Sequence, residues 1–77
     1  MEIKILGAGC PKCKRLERIA RDAAEEANVE ATFIKVTDFG EIMNYPITST
    51  PALVIDEQVK CSGRLPGKGE VIGWLQG

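Results

Sequence analysis

The apolar and polar positions of this chain follow patterns that predict seven short elements. A mostly apolar segment, Glu2 to Leu6, predicts a buried strand, and glycines interrupt the chain after it. From Pro11 to about Ala27 the apolar residues recur every three or four positions, which is the spacing of one buried helix face. Charged residues occupy the other face of this helix, and Asn28 is a suitable residue to end it.

The remainder of the chain predicts three strands and two helices. Glu30 to Val36 alternates like a strand with one well-buried side. Thr37 or Asp38 caps a short helix through Asn44, which contains apolar residues and precedes Pro46. The later elements are a turn at Thr48–Pro51, a strand at Ala52–Ile55, a tight turn at Asp56–Gln58, a returning strand at Val59–Ser62, a loop at Gly63–Lys68 and a helix at Gly69–Leu75 with Val71, Ile72 and Leu75 facing inward.

This order, β-α-β-α-β-β-α, indicates an α/β fold in one domain that spans residues 1–77. The first two strands are joined by a helix, so we expect them to be parallel, whereas the last two form an antiparallel hairpin. The composition is 44% hydrophobic and 27% charged with a net charge of −1, which is ordinary for a globular domain. Neither nucleic acid nor a membrane is indicated as a partner.

The sequence predicts neither a membrane-spanning helix nor a signal peptide. No apolar run approaches the roughly 20 residues of a membrane-spanning helix. The apolar stretch at the N-terminus is too short for a signal peptide, and three cysteines do not make a paired disulfide framework. We therefore expect a cytoplasmic protein whose cysteines are catalytic, metal-binding or core residues. The absence of histidine excludes Cys–His nucleophilic pairs and imidazole zinc sites.

The strongest chemical signal is the segment Cys10-Pro11-Lys12-Cys13, between the first strand and the long helix. Proline is favoured at the first helical position, so Cys10 is predicted as the N-cap. Two intervening residues bring both sulfurs within bonding distance on the first helical turn. Cys10 is expected to be exposed, whereas Cys13 lies on the apolar stripe.

Unpaired backbone N–H groups at the helix start stabilise a thiolate on Cys10, and we expect its pKa between about 3.5 and 7.5. This thiolate would attack a substrate disulfide, and Cys13 would then resolve the mixed disulfide. Cations surround the helix start at Lys12, Lys14 and Arg15, while acids lie at its end. That inverted arrangement suits a site that holds an anion, although a solvated helix face explains it equally well.

The chain resembles the thioredoxin/glutaredoxin superfamily in four features: the CPKC segment between strand and helix, Thr50-Pro51 before a strand, the hairpin and the terminal helix. Within that superfamily it looks most similar to the small archaeal and bacterial thioredoxin-like proteins. The resemblance covers the whole chain and implies a four-stranded mixed sheet flanked by three helices. It also implies that Pro51 is cis and faces the cysteine pair, where the backbone of Thr50 pairs with an extended substrate segment. Gly63 matches the family glycine that lets the last helix approach the site. We expect protein disulfides as substrates and an unidentified reductase as partner. We also expect a monomer that needs no cofactor and binds no metal.

The chain departs from the family pattern in several places. Lys4 is the only ionisable residue inside the first strand, where many relatives place a carboxylate behind the resolving cysteine, and Gly9 replaces an aromatic residue. The segment before the last helix lacks the glutaredoxin pattern of paired glycines and an acid, which argues against glutathione. Cys61 is expected to share a face with Val59 as a small core residue, with a regulatory or intermolecular thiol as the alternative.

Two other functions use the same residues. A soft-metal module would bind Cu(I) through Cys10 and Cys13, although such modules have the order β-α-β-β-α-β and usually a methionine where this chain has Ala8. A non-catalytic domain would retain the fold for interaction alone. Measured disulfide exchange separates both from an oxidoreductase.

Overall fold

A computed structural model describes residues 1–7, 11–47 and 49–76 of the chain. The elements are β1 (Glu2–Leu6), α1 (Pro11–Glu26), β2 (Thr32–Val36), α2 (Phe39–Ile42), β3 (Ala52–Ile55), β4 (Gln58–Ser62) and α3 (Lys68–Gln76). The predicted element order is confirmed. No helix in the described parts of the chain is long and apolar enough to cross a bilayer.

The four strands form one mixed sheet in the order β2-β1-β3-β4. β1 runs parallel to β2 and antiparallel to β3, and β3 pairs antiparallel with β4. The parallel pair is a consequence of the helical crossover through α1. Because β1 and β3 are central, their apolar residues are covered on both sides, and all four residues of β3 are buried.

Two apolar clusters lie on opposite faces of the sheet. Alternate residues of β1 separate between them, with Ile3 and Ile5 in one cluster and Leu6 in the other. The larger cluster is covered by α1 and α3 and includes Leu16 and Val71. The smaller one is covered by α2 through Ile42, which gives a three-layer arrangement of helices, sheet and helix. The expected four-stranded mixed sheet with three helices is therefore confirmed.

The ends of α1 follow the sequence signals. Pro11 is its first residue, as predicted, whereas the expected N-cap, Cys10, lies outside the described residues together with Gly9. At the other end Asn28 adopts the left-handed conformation, with φ of 57°. The Val29 amide then donates to the Ala24 carbonyl at 2.9 Å, so a six-to-one turn satisfies a carbonyl that the helix leaves open.

The second helix is shorter than predicted. Asp38 caps it, because its carboxylate accepts from the Gly40 amide at 3.2 Å. The helix ends at Ile42 rather than Asn44, since the amides of Asn44 and Tyr45 donate to carbonyls only three residues back. The chain therefore tightens into a turn before it reaches Pro46.

The hairpin contains the clearest correction to the expected pattern. Asp56 and Glu57 both have positive φ, which gives a two-residue turn, so Gln58 already belongs to the strand. Leu53 pairs with Cys61, but the next residue of β3 pairs with Val59. This shift leaves one extra residue in β4, a β-bulge. The prediction that Cys61 shares a face with Val59 is therefore wrong: Cys61 lies in the cluster under α1 and α3, and Val59 packs on the other face.

The edge strand β2 is two residues shorter than predicted, and both its faces are partly covered. Phe33 packs against the larger cluster, while Ile34 and Val36 pack against the smaller one. Only Val36 is fully buried, so the expected single well-buried side is not observed. The reason is that a strand at the edge of a three-layer fold lies between a helix on each side.

Candidate active site

The site lies where β1 ends and α1 begins. Cys13 is in the first turn of α1 and is only 6% exposed. Gly7 directly follows β1, and its amide extends the parallel ladder by donating to the Val36 carbonyl at 3.0 Å. A Cβ atom added to Gly7 would overlap the Sγ atom of Cys13. The absence of a side chain at Gly7 therefore makes the space that the Cys13 sulfur occupies.

The loop before β3 approaches the same point. A Cβ atom added to Gly7 would lie 3.9 Å from the Cβ of Thr50, so Thr50 and Cys13 both border this glycine. The Thr50–Pro51 peptide bond is cis, which the family resemblance implies. Pro51 is buried, whereas Thr50 is exposed. Two of the expected site residues, Thr50 and Cys13, are thus brought together by the fold.

Gly63 supports this loop from the other side. Its amide donates to the Pro51 carbonyl at 2.9 Å. Its φ of 75° lies in the left-handed region, and a Cβ there would overlap the Ser49 Oγ. The close approach is made by Ser49, and no described atom of α3 lies near that position. The expectation that Gly63 lets the last helix approach the site is therefore corrected. Its missing side chain instead leaves room for the loop that carries Thr50.

The remaining expected site residues are at the start of α1. Pro11 and Lys12 are exposed, and Lys12 forms no ion pair with any residue in the described ranges. Cys10 precedes them in sequence, outside the described residues. The first turn of α1 contains no acidic residue, so its backbone dipole is not offset there by a carboxylate.

A small pocket of about 150 Å³ opens beside Cys13, between α1 and the ends of β1 and β2. One helical turn beyond Cys13, Glu17 borders the pocket with only 16% of its side chain exposed. Its carboxylate accepts hydrogen bonds from Lys35 and Arg21, each at 2.9 Å. The bond from Lys35 is the main cause that lowers the pKa of Glu17 below its ordinary value.

Glu17 therefore places a negative charge at the pocket, where it is paired with two cations. Sequence analysis did not single out this residue as part of the site. The available signal was its position four residues after Cys13, on the same side of the helix. Lys35 of β2, which pairs with Glu17, could not be predicted as its partner, because that pairing depends on β2 lying parallel to β1 in the sheet.

A second depression adjoins the Thr50 loop. It has a volume of about 310 Å³ and is bordered by Ser49, Thr50 and the apolar residues of α2 and the following turn. Phe39 and Met43 are 72% and 65% exposed, the largest apolar side chains left open apart from Met1 among the described residues. The predicted helix through Asn44 contains both residues, and their spacing of four was the signal that they share one face.

The third cysteine, Cys61, is buried. Cys61 is 7% exposed, packs in the larger cluster and donates from its Sγ to the Arg64 carbonyl at 3.5 Å. Burial raises the pKa of its thiol, so it stays protonated at neutral pH. The expectation of a small core residue is confirmed.

The fold and this arrangement define an α/β domain of the thioredoxin-like class, with a cysteine of a CxxC pair packed where the first strand meets a helix. The family described as a thioredoxin domain matches residues 1–76. The thioredoxin of Methanothermobacter thermautotrophicus is 37% identical over 71 residues, covering 92% of each chain. The thioredoxin of Methanocaldococcus jannaschii is 34% identical over 79 residues, covering 97% of this chain and 91% of the relative. The chain belongs to the thioredoxin-domain family, and membership supports a thiol–disulfide oxidoreductase role.

Proposed function

We propose that the protein exchanges disulfides through Cys10 as nucleophile and Cys13 as resolving thiol. The Cys10 thiolate attacks one sulfur of a substrate disulfide, and the other substrate sulfur leaves as a thiol after taking a proton. Cys13 loses its proton and attacks the Cys10 sulfur of this mixed disulfide. The substrate sulfur that was bonded to Cys10 is then released as a thiolate. Two electrons pass from the dithiol to the substrate, and the protein is left with a Cys10–Cys13 disulfide.

The observation that carries this proposal is the position of Cys13. A cysteine that is nearly inaccessible, on the first turn of a helix and fitted against Gly7, is suited to attack its neighbour in the CxxC segment rather than an external disulfide. Accessibility decides which thiol begins the exchange. Cys10 precedes Cys13 by three residues in the sequence, and we propose that open amides at the start of α1 favour its anion.

The substrates we propose are protein disulfides presented on an extended segment. Thr50 is exposed, borders the same glycine as Cys13 and lies on a loop held by Gly63. We propose that the backbone of Thr50, on the loop that borders Gly7 and Cys13, forms hydrogen bonds with such a segment. We propose that a separate reductase restores the dithiol, that the protein acts as a monomer, and that it works in the reducing cytoplasm, where a CxxC pair is recycled.

The experiment is a single-turnover reduction of a disulfide-bonded peptide by protein that has first been reduced and freed of reductant. Acid quenching and alkylation of thiols, followed by mass spectrometry, measure the products. Cys10→Ser should abolish reduction, and Cys13→Ser should accumulate a mixed disulfide on Cys10. Cys61→Ser is the matched control and should react at the wild-type rate. Equal rates in all three variants would refute the proposal.

A further inference from the structure

The cations of this protein divide into two groups according to whether an acid neutralises them. Five form ion pairs with carboxylates of the described residues, and these are Lys4, Arg21, Lys35, Arg64 and Lys68. The other five form none within the described ranges: Lys12, Lys14, Arg15, Arg18 and Lys60. Four of the second group are exposed on the first two turns of α1.

This cluster, Lys12, Lys14, Arg15 and Arg18, forms a basic face beside the proposed redox site. The one acid in the same two turns is Glu17, and its carboxylate is already engaged by two other cations. The positive charge of the basic face is therefore left open to solvent although the whole chain carries a net charge of −1. The other acids of this helix, Asp22, Glu25 and Glu26, lie in its last two turns, at the end away from Cys13.

The placement is unfavourable for the helix itself. A helix start carries partial positive charge and is stabilised by acids, yet α1 has none in its first turn and no base in its last turn. Charges arranged for stability alone would have the opposite order. The distribution instead gives α1 an excess of positive charge at the end where Cys13 lies.

We propose that the basic face is a docking surface for acidic protein segments that flank a substrate disulfide, an inference that rests on the proposed function. Long-range attraction to such a segment accelerates encounter and orients the disulfide toward the start of α1. An acidic polypeptide is the favoured occupant because the face adjoins a site for sulfur exchange. A nucleic acid would match the charge but would bring no disulfide.

The test uses three synthetic peptides with the same disulfide, flanked by four glutamates, four glutamines or four lysines. Single-turnover reduction of each is measured at low and at high salt. We expect the acidic peptide to react roughly tenfold faster than the neutral one at low salt, and the basic peptide more slowly. High salt should remove most of the difference, because it screens exposed charges.

Two double variants of equal net charge isolate the surface. Arg15→Glu/Arg18→Glu reverses the basic face without touching the pocket beside Cys13. Lys60→Glu/Lys68→Glu reverses two charges elsewhere, Lys68 pairing with Glu26 at the far end of α1. The first variant should lose the roughly tenfold ratio of acidic to neutral rates, and the second should keep it. The ratio is the readout because a change in thiol reactivity alters both rates alike.

The outcomes separate the two proposals. If wild-type protein reduces none of the peptides, the proposed function and this inference both fail. If all three peptides react at equal rates that do not depend on salt, only the docking surface is refuted. Binding of a short single-stranded DNA to the basic face, without any preference among the peptides, would assign the face to nucleic acid and refute the inference as well.

Discussion

Replacing Gly7 by alanine should disturb the protein through one identifiable contact. The new Cβ would overlap the Sγ of Cys13, which is buried. Overpacking of this kind costs about 2 kcal/mol, and for a chain of 77 residues that corresponds to a fall in Tm of roughly 10 °C. Thermal unfolding of the reduced protein, followed by circular dichroism, measures the loss.

Two further variants show whether the sulfur is the cause. In Gly7→Ala/Cys13→Ala the sulfur is gone, and the nearest remaining contact would be the Cβ of residue 13 at 3.4 Å. Most of the penalty should then disappear, so that the two substitutions are strongly non-additive. Gly73→Ala is the matched control, because nothing lies within 4 Å of its Cβ position in α3, and it should stabilise the protein by about 0.5–1 kcal/mol. A Gly7→Ala protein as stable as wild type, or additive effects in the double variant, would refute the reasoning.

Three other predictions concern the surroundings of the site. Gly63→Ala should cost about 1–2 kcal/mol in urea unfolding, because of its positive φ and the overlap with Ser49; an unchanged midpoint would contradict this. Lys35 lowers the pKa of Glu17, so the charged carboxylate stabilises the fold above its ordinary pKa of about 4.3 and loses that effect as pH falls through the lower folded value. Glu17→Gln should therefore be less stable than wild type at neutral pH, with a difference that shrinks as the pH falls below that ordinary value; a constant difference would oppose this account. Because burial raises the pKa of Cys61, iodoacetamide at neutral pH should modify it only after unfolding, and rapid native labelling would show that the thiol is accessible.

Much of the fold follows from local signals in the sequence. Pro11 and Asn28 mark the two ends of α1 because each has a conformational preference that needs no tertiary contact. The apolar run of β3 likewise indicates a strand covered on both faces. The bulge in β4 has no such signal, since Lys60 is neither glycine nor proline.

The sequence predicts only part of the site. The CxxC spacing identifies the cysteines, because two intervening residues on a helix start determine how close the sulfurs lie. The fit of Gly7 to Cys13 depends on where a helix and a strand meet in space. The basic face could be seen as a charge pattern, but the pattern left a solvated helix face as an equal explanation. The contrast between this face and the five paired cations depends on the ion pairs of the folded chain, and three of these join distant parts of the sequence.

The central claim is that Cys10 and Cys13 form a pair that gains and loses two electrons in exchange with other thiols. Equilibration of the protein in thiol–disulfide buffers of graded potential, followed by alkylation and mass spectrometry, measures this directly. The account predicts that the two thiols oxidise together, with a midpoint between about −270 and −120 mV, while Cys61 stays reduced. A midpoint below about −300 mV, typical of a structural disulfide, or oxidation that involves Cys61 instead, would contradict it.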